Sequence, residues 1–192
     1  MNKKLRRIIK RAIQGLSLVF VFPVALLCAF GQIKVFYIFF AQLFALFPGI
    51  AGSFLRSAFY KFTLRECSID TAISFGTFFS SRDARVGANV SIGSFCVIGR
   101  ARIGKGTQIS SHVEIPSGRY QHPRDEQGRF LDSEIGEVVI GSDCWIGASA
   151  VIMASVGDQS TIGAGSVVVT EIPDHVIAVG VPAKPIKNVL DS

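Results

Sequence analysis

Branched aliphatic residues followed by glycine return every six positions through the later part of the chain, as Ile140-Gly141 and Ile146-Gly147, then Val156-Gly157 and Ile162-Gly163. An amphipathic helix repeats its apolar face every 3.6 residues and a half-buried strand every 2, so a period of six fits neither. It predicts an all-β coil of short parallel strands, a parallel β-helix with three hexads per triangular turn. One aliphatic per hexad points into a narrow interior, and glycine occupies the corner that follows. The same phase runs upstream through Val86-Gly87, Ile92-Gly93, Ile98-Gly99 and Ile103-Gly104, and continues as Ile109-Ser110 and Ile115-Pro116. Two steps break the period, five residues from Ile98 to Ile103 and four from Ile152 to Val156. Ile69-Asp70 and Phe75-Gly76 fit it weakly, which predicts a coil starting near Cys67 with an irregular first turn.

Two segments fall outside the coil. Residues 116–137, PSGRYQHPRDEQGRFLDSEIGE, carry no hexad and are rich in Pro, Gly and charge, and a segment of that length inside a solenoid predicts a functional loop ejected from one corner. Residues 1–65 open with a basic cluster followed by two apolar runs, Ala12 to Phe30 and Ile33 to Ile50, interrupted by Pro23 and Pro48. Each run is long enough for a hydrocarbon core of about 30 Å. Two patterns are compatible, a tight spanning hairpin or kinked helices held within one leaflet. A cleaved signal peptide and a soluble hairpin packed on the coil are the competing readings, the first disfavoured by the length of the apolar stretch. From Phe54 to Leu64 the residues Leu55, Ala58, Phe59 and Phe62 share a helical face with Arg56 and Lys61 off it, the pattern of an interfacial helix joining anchor to coil. Residues 1–65 are thus predicted to be membrane-associating and residues 66–192 to be the β-helix domain.

Charge sharpens this division. The net charge of +6 divides into +10 over residues 1–65, which contain no Asp or Glu, and −4 over the remainder. A nucleic-acid surface on the coil is therefore excluded, and the cations stand beside the apolar runs. By the positive-inside rule they place the coil on the cytoplasmic face of an inner membrane. Cys28, Cys67, Cys96 and Cys144 form no CxxC pair and do not cluster with His, so they are predicted to be packing residues and reduced.

Between Cys67 and Lys187 the hexads, the loop containing SGRYQHP, the return IGSDCWIGASAVI and the ending IGAGSVVVTEIPDHVIAVGVPAKPI together resemble the hexapeptide-repeat acyltransferases with a left-handed parallel β-helix. Within them the likeness is to the maltose, galactoside and xenobiotic acetyltransferase branch. The apolar front resembles that of acetyltransferases of polysaccharide synthesis. The resemblance implies acetyl-CoA as co-substrate, no metal, a homotrimer, and a groove between subunits lined by Gly147, Ala148, Ala164 and Gly165, with Lys184 near the nucleotide phosphates. Trp145, beside these, is a candidate wall for the thioester. Acyl transfer to an alcohol needs a base with a pKa near neutrality, which points to histidine. His122 lies in the ejected loop and matches the family's catalytic position. His112, and the basic loop residues Arg119 and Arg124, are candidates for the acceptor site, and His175 is assigned a structural role.

The function expected is O-acetylation of a sugar hydroxyl in polysaccharide or lipid-linked glycan synthesis. Acetylation of a small soluble acceptor and a non-catalytic scaffold trimer are the alternatives. A zinc site would need three converging imidazoles, which His112, His122 and His175 are too widely spaced to suggest.

Overall fold

The computed structural model describes residues 3–117, 124–131 and 136–189. From Glu66 onward the chain winds as a left-handed parallel β-helix. Sheet A stacks Glu66–Cys67, Arg85–Val86, Ala101–Ile103 and Val138–Ile140, and Val156 continues the column by bridging Ile140 and Ile172. Sheet B stacks Ala72–Ile73, Ser91–Ile92, Gln108–Ile109, Trp145–Ile146, Thr161–Ile162 and Val176–Val179, and Lys184–Asn188 is added antiparallel at its end. Sheet C stacks Phe78–Phe79, Val97–Ile98, Glu114–Ile115, Val151–Ile152 and Val167–Val168.

The hexad aliphatics fill the interior: Ile92, Ile98, Ile115, Ile146 and Ile152 are all fully buried. In the first turn the inward residues are Cys67, Ile73 and Phe79, whereas Ile69 and Phe75 stand at corners, so the weak hexads there belong to another phase. The hexad glycines also differ from expectation. The left-handed residues of the corner joining sheets B and C are Gly76, Phe95, His112, Ser149 and Gly165, each three places beyond the inward residue rather than one. Glycine directly after the aliphatic answers a different need, close approach of the next coil. A Cβ on Gly147 would lie 2.4 Å from the amide nitrogen of Ala164.

Three helices close the N-terminal end of the coil: α1 (Lys3–Leu27), α2 (Lys34–Ala45) and α3 (Gly49–Thr63). Helix α3 lies across the end, its Ser57 hydroxyl donating to Thr71 O at 2.6 Å and its Tyr60 hydroxyl accepting from Phe79 N at 3.1 Å. Arg56, 1% exposed, donates from Nε to Ile73 O at 2.9 Å and from Nη1 to Phe44 O at 3.0 Å and Phe47 O at 2.7 Å. Its charge is set against the carbonyls at the C-terminal end of α2, the negative pole of that helix dipole. Arg56 thus ties cap to coil from the interior, and of the two cations of the predicted interfacial segment only Lys61 is exposed.

Helix α1 runs beside α3. Gln14 Nε2 donates to Ile69 O at 2.9 Å, Lys10 pairs with Asp70 at 3.0 Å, and Phe22 meets Phe62 edge-on at 5.7 Å. Gln14, Ser17, Val21 and Ala25 are buried along one face of α1, while Leu5, Ile9, Leu16, Phe20 and Leu27 stand exposed on the opposite one. Helix α2 repeats this arrangement, with Tyr37, Ala41 and Phe44 inward and Val35 and Phe39 outward. Helix α1 is long and apolar enough to cross a membrane by length and composition, yet it packs against α3 and, through Gln14 and Lys10, against the first coil, and the cap turns an apolar surface away from the coil.

Candidate active site

The residues expected to bind the donor come together at one edge. His112, Ser149 and Gly165 occupy equivalent places on successive coils at the corner between sheets B and C, linked by Ser149 N to Ser111 O at 3.0 Å and Gly165 N to Ala148 O at 2.8 Å. Ala148, Ala164 and Gly165 are exposed there. Trp145 stands on the outer face of sheet B between Gln108 and Thr161, 60% exposed, with Nε1 3.4 Å from the Ser110 hydroxyl. Lys184 is exposed opposite Val179 on the antiparallel strand that ends sheet B, and Val179 packs over Gly163, so the lysine closes the far end of the strip. Gly147 is the exception. It is buried, its amide donates to Ile162 O at 2.7 Å, and it supports the strip from below. With the Gly165 amide also taken up inside the coil, these glycines contribute room rather than hydrogen-bond donors.

Toward the cap the edge becomes aromatic. The exposed His112 ring stacks on Phe95 at 5.4 Å and 16°, and Phe95, itself 51% exposed, meets Phe75 edge-on at 5.5 Å. Sequence reasoning passed over Phe95; its signal was a bulky aromatic three places after Ile92, a position that faces solvent.

The ejected loop leaves from the corner between sheets C and A, at the other end of the strand that follows His112. Its base is pinched by Gly136 N donating to Ser117 O at 3.0 Å, and Glu137 holds the returning chain to sheet A through Arg85 at 2.7 Å and Arg102 at 3.0 Å. Glu137 was likewise not singled out by sequence. His122 and Arg119 lie outside the described residues. Arg124, in the outer part of the loop, packs its guanidinium over Phe130 at 3.8 Å and donates to Gly128 O. Asp125 accepts from the amides of Gln127 and Arg129 and pairs with the Arg129 guanidinium at 2.9 Å, contacts that hold its carboxyl below the usual carboxylate range.

The thiols are unsuited to nucleophilic work. Burial pushes Cys67 up to about 12 and raises Cys96 and Cys144, and all four cysteines are free and buried. His112 and His175 occupy different corners several coils apart, and among the described residues no three His, Cys, Asp or Glu side chains gather as a metal site.

A triangular parallel coil with this repeat and a strip of small residues along one edge defines a hexapeptide-repeat β-helix protein. Residues 137–170 match the family described as hexapeptide repeat of succinyl-transferase. Galactoside O-acetyltransferase of Escherichia coli is 45% identical over 56 residues, covering 28% of each chain. The chain spans about a third or less of the length of the curated relatives it matches first. Among solved structures, a maltose O-acetyltransferase from Clostridium difficile 630 superposes with a TM-score of 0.67 at 23% identity, over 82% of this chain and 88% of that one. A hexapeptide-repeat acetyltransferase from Vibrio cholerae superposes with a TM-score of 0.66 at 17% identity, over 94% of this chain and 92% of that one. The chain thus carries the hexapeptide repeat over residues 137–170 and shares its β-helix fold with these acetyltransferases.

Proposed function

We propose that this protein is a membrane-associated O-acetyltransferase that moves an acetyl group from acetyl-CoA to a hydroxyl of a sugar in a polysaccharide or lipid-linked glycan. The observation that carries the reading is the strip itself: Ala148, Ala164 and Gly165 leave an uncrowded path along one edge, with Trp145 beside it and Lys184 at its end. A pantetheine arm fits such a path, and a lysine at its end suits the nucleotide phosphates. Open on a single protomer, the strip needs a second wall, which a neighbouring copy in a homotrimer would supply. In the reaction the sugar oxygen attacks the thioester carbonyl while the His122 imidazole accepts the hydroxyl proton. The tetrahedral intermediate expels the thiolate of coenzyme A, which takes that proton back from the imidazolium. Arg119 and Arg124, both in the loop that carries His122, suit an acidic or phosphorylated acceptor.

The outward apolar surface of α1 and α2 supports membrane association, and the packing of α1 against α3 and the first coil favours the in-leaflet arrangement over a spanning hairpin. That surface also favours a membrane-borne glycan over a small soluble acceptor, which gains nothing from a membrane-held enzyme. With the +10 region toward anionic headgroups, the catalytic coil would stand on the cytoplasmic face of an inner membrane. The test is release of coenzyme A thiol, with mass analysis of membrane-extracted glycans, by the full chain and by His122→Ala. A loss of roughly 10²- to 10⁴-fold is expected for removal of a general base. Equal rates of acetyl-dependent thiol release by both proteins would overturn the assignment.

A further inference from the structure

The first three turns of α1 carry cations that the proposed reaction does not use. Arg6, Arg7, Lys10 and Arg11 line a cleft of about 690 Å³ between α1 and the first two coils, whose facing wall holds Asp70 and Asn89. That volume is within the ~300–1,000 Å³ usual for small-ligand sites. Lys10 is paired with Asp70, but Arg6, Arg7 and Arg11 make no ion pair among the described residues. Three unpaired guanidiniums converging on one cleft form an anion site in excess of the single carboxylate opposite them, and guanidinium is the side chain best matched to a phosphate.

What brings the anion is indicated by the other face of the same helix. Leu5, Ile9 and Leu16 are exposed on the side of α1 away from its buried Gln14 and Ser17, and this apolar face continues past the basic turns to Leu27. A helix with one apolar face and cations on the other lies in the interfacial plane, where its cations meet headgroups. We infer that the cleft between α1 and the first coils holds the phosphate of an anionic phospholipid headgroup, and so fixes how the cap sits on the bilayer. The inference rests on the membrane association proposed above and adds to it a defined headgroup site.

The experiment is partition of the full chain into vesicles of phosphatidylcholine alone and of phosphatidylcholine with 30 mol% phosphatidylglycerol (about three lipids in ten) at low salt. The native chain is expected to favour the anionic vesicles at least tenfold. Each cation near an anionic surface contributes roughly a fivefold factor, so Arg6→Gln, Arg7→Gln and Arg11→Gln together should reduce that binding on the order of a hundredfold. Two further variants separate a cleft from diffuse charge. Arg11→Gln, inside the cleft, should exceed Lys61→Gln, on the same cap but outside it. Gly15→Glu should weaken anionic binding well beyond Gly15→Ala, because a Cβ at Gly15 meets nothing within 4 Å and the carboxylate can enter the cleft without disturbing the fold. Equal effects of Arg11→Gln and Lys61→Gln, or an unaffected triple variant, overturn the headgroup site. Equal binding of the native chain to both vesicle types overturns it while leaving membrane association standing; binding to neither removes both. Protection against thermal unfolding by inorganic phosphate without any vesicle preference would assign the cleft to a soluble phosphate and overturn the lipid source.

Discussion

Two glycines near the same edge should respond differently to substitution, and the difference follows from what surrounds them. A Cβ at Gly147 would lie 2.4 Å from Ala164 N, 2.7 Å from Gly163 C and 2.8 Å from Ile162 O, all backbone atoms of the next coil. None of these can rotate aside, and Ile162 O also receives the Gly147 amide at 2.7 Å. Gly147→Ala therefore forces the coils apart. Overpacking of this kind costs about 1–3 kcal/mol, here at the upper end because no side chain can yield, which for a chain of this size lowers Tm by about 6–12 °C. Gly165 has φ +68° and a Cβ there meets nothing within 4 Å. Asparagine tolerates this left-handed conformation best of the other residues, so Gly165→Asn should cost about 1 kcal/mol or less, and Tm should fall by no more than about 4 °C. Its amide would stand on the proposed pantetheine path and raise KM for acetyl-CoA at least tenfold, about 1.4 kcal/mol of binding. Thermal melts followed by circular dichroism, with initial rates of coenzyme A thiol release, measure both quantities. An unchanged KM in Gly165→Asn would refute the donor path, and an unchanged Tm in Gly147→Ala would refute close coil approach as the reason for the hexad glycine.

The remaining predictions concern the cap. Arg56→Met removes three short hydrogen bonds from a buried cation to carbonyls of α2, the following turn and sheet B, partly offset by relief of the arginine's own desolvation. The net loss should be about 2–4 kcal/mol, read from urea unfolding and from proteolytic release of α1 and α2. Hydrogen bonds from Lys10 and Gln14 hold the Asp70 carboxyl below the usual carboxylate range. A carboxyl depressed in the folded state stabilises above its unfolded pKa near 3.9, and that contribution is lost as pH falls through the lower folded value. Docking of α1 should therefore weaken below about pH 4, seen as faster amide exchange in α1 after correction for intrinsic rates, and Asp70→Asn should remove the dependence.

The interior of the coil was legible because one residue type in one phase is all that a narrow prism requires. Every step from sheet A to sheet B and from sheet B to sheet C is six residues, from Cys67 to Ile73 and on to Phe79 in the first turn, and from Val156 to Ile162 and on to Val168 in the fifth. Each departure falls at the one remaining corner. Between sheets C and A the inward residues are seven apart from Phe79 to Val86, five from Ile98 to Ile103, twenty-five from Ile115 to Ile140, and four from Ile152 to Val156 and from Val168 to Ile172. The two slips and the ejected loop, which look unrelated along the chain, are thus one structural fact: two corners keep a strict six-residue step and the third does not. The third corner tolerates insertion, which is why the loop bearing His122 could be placed there without disturbing the stack that forms the proposed donor edge. The cap was less legible. Arg56 sits among Leu55, Ala58 and Phe59 with nothing local to show that it faces inward, because the carbonyls that receive it come from the end of α2 and from the first turn of sheet B. A charge whose partners are backbone atoms leaves no complementary side chain to read, and the depth of such a residue becomes visible only when the helices are assembled.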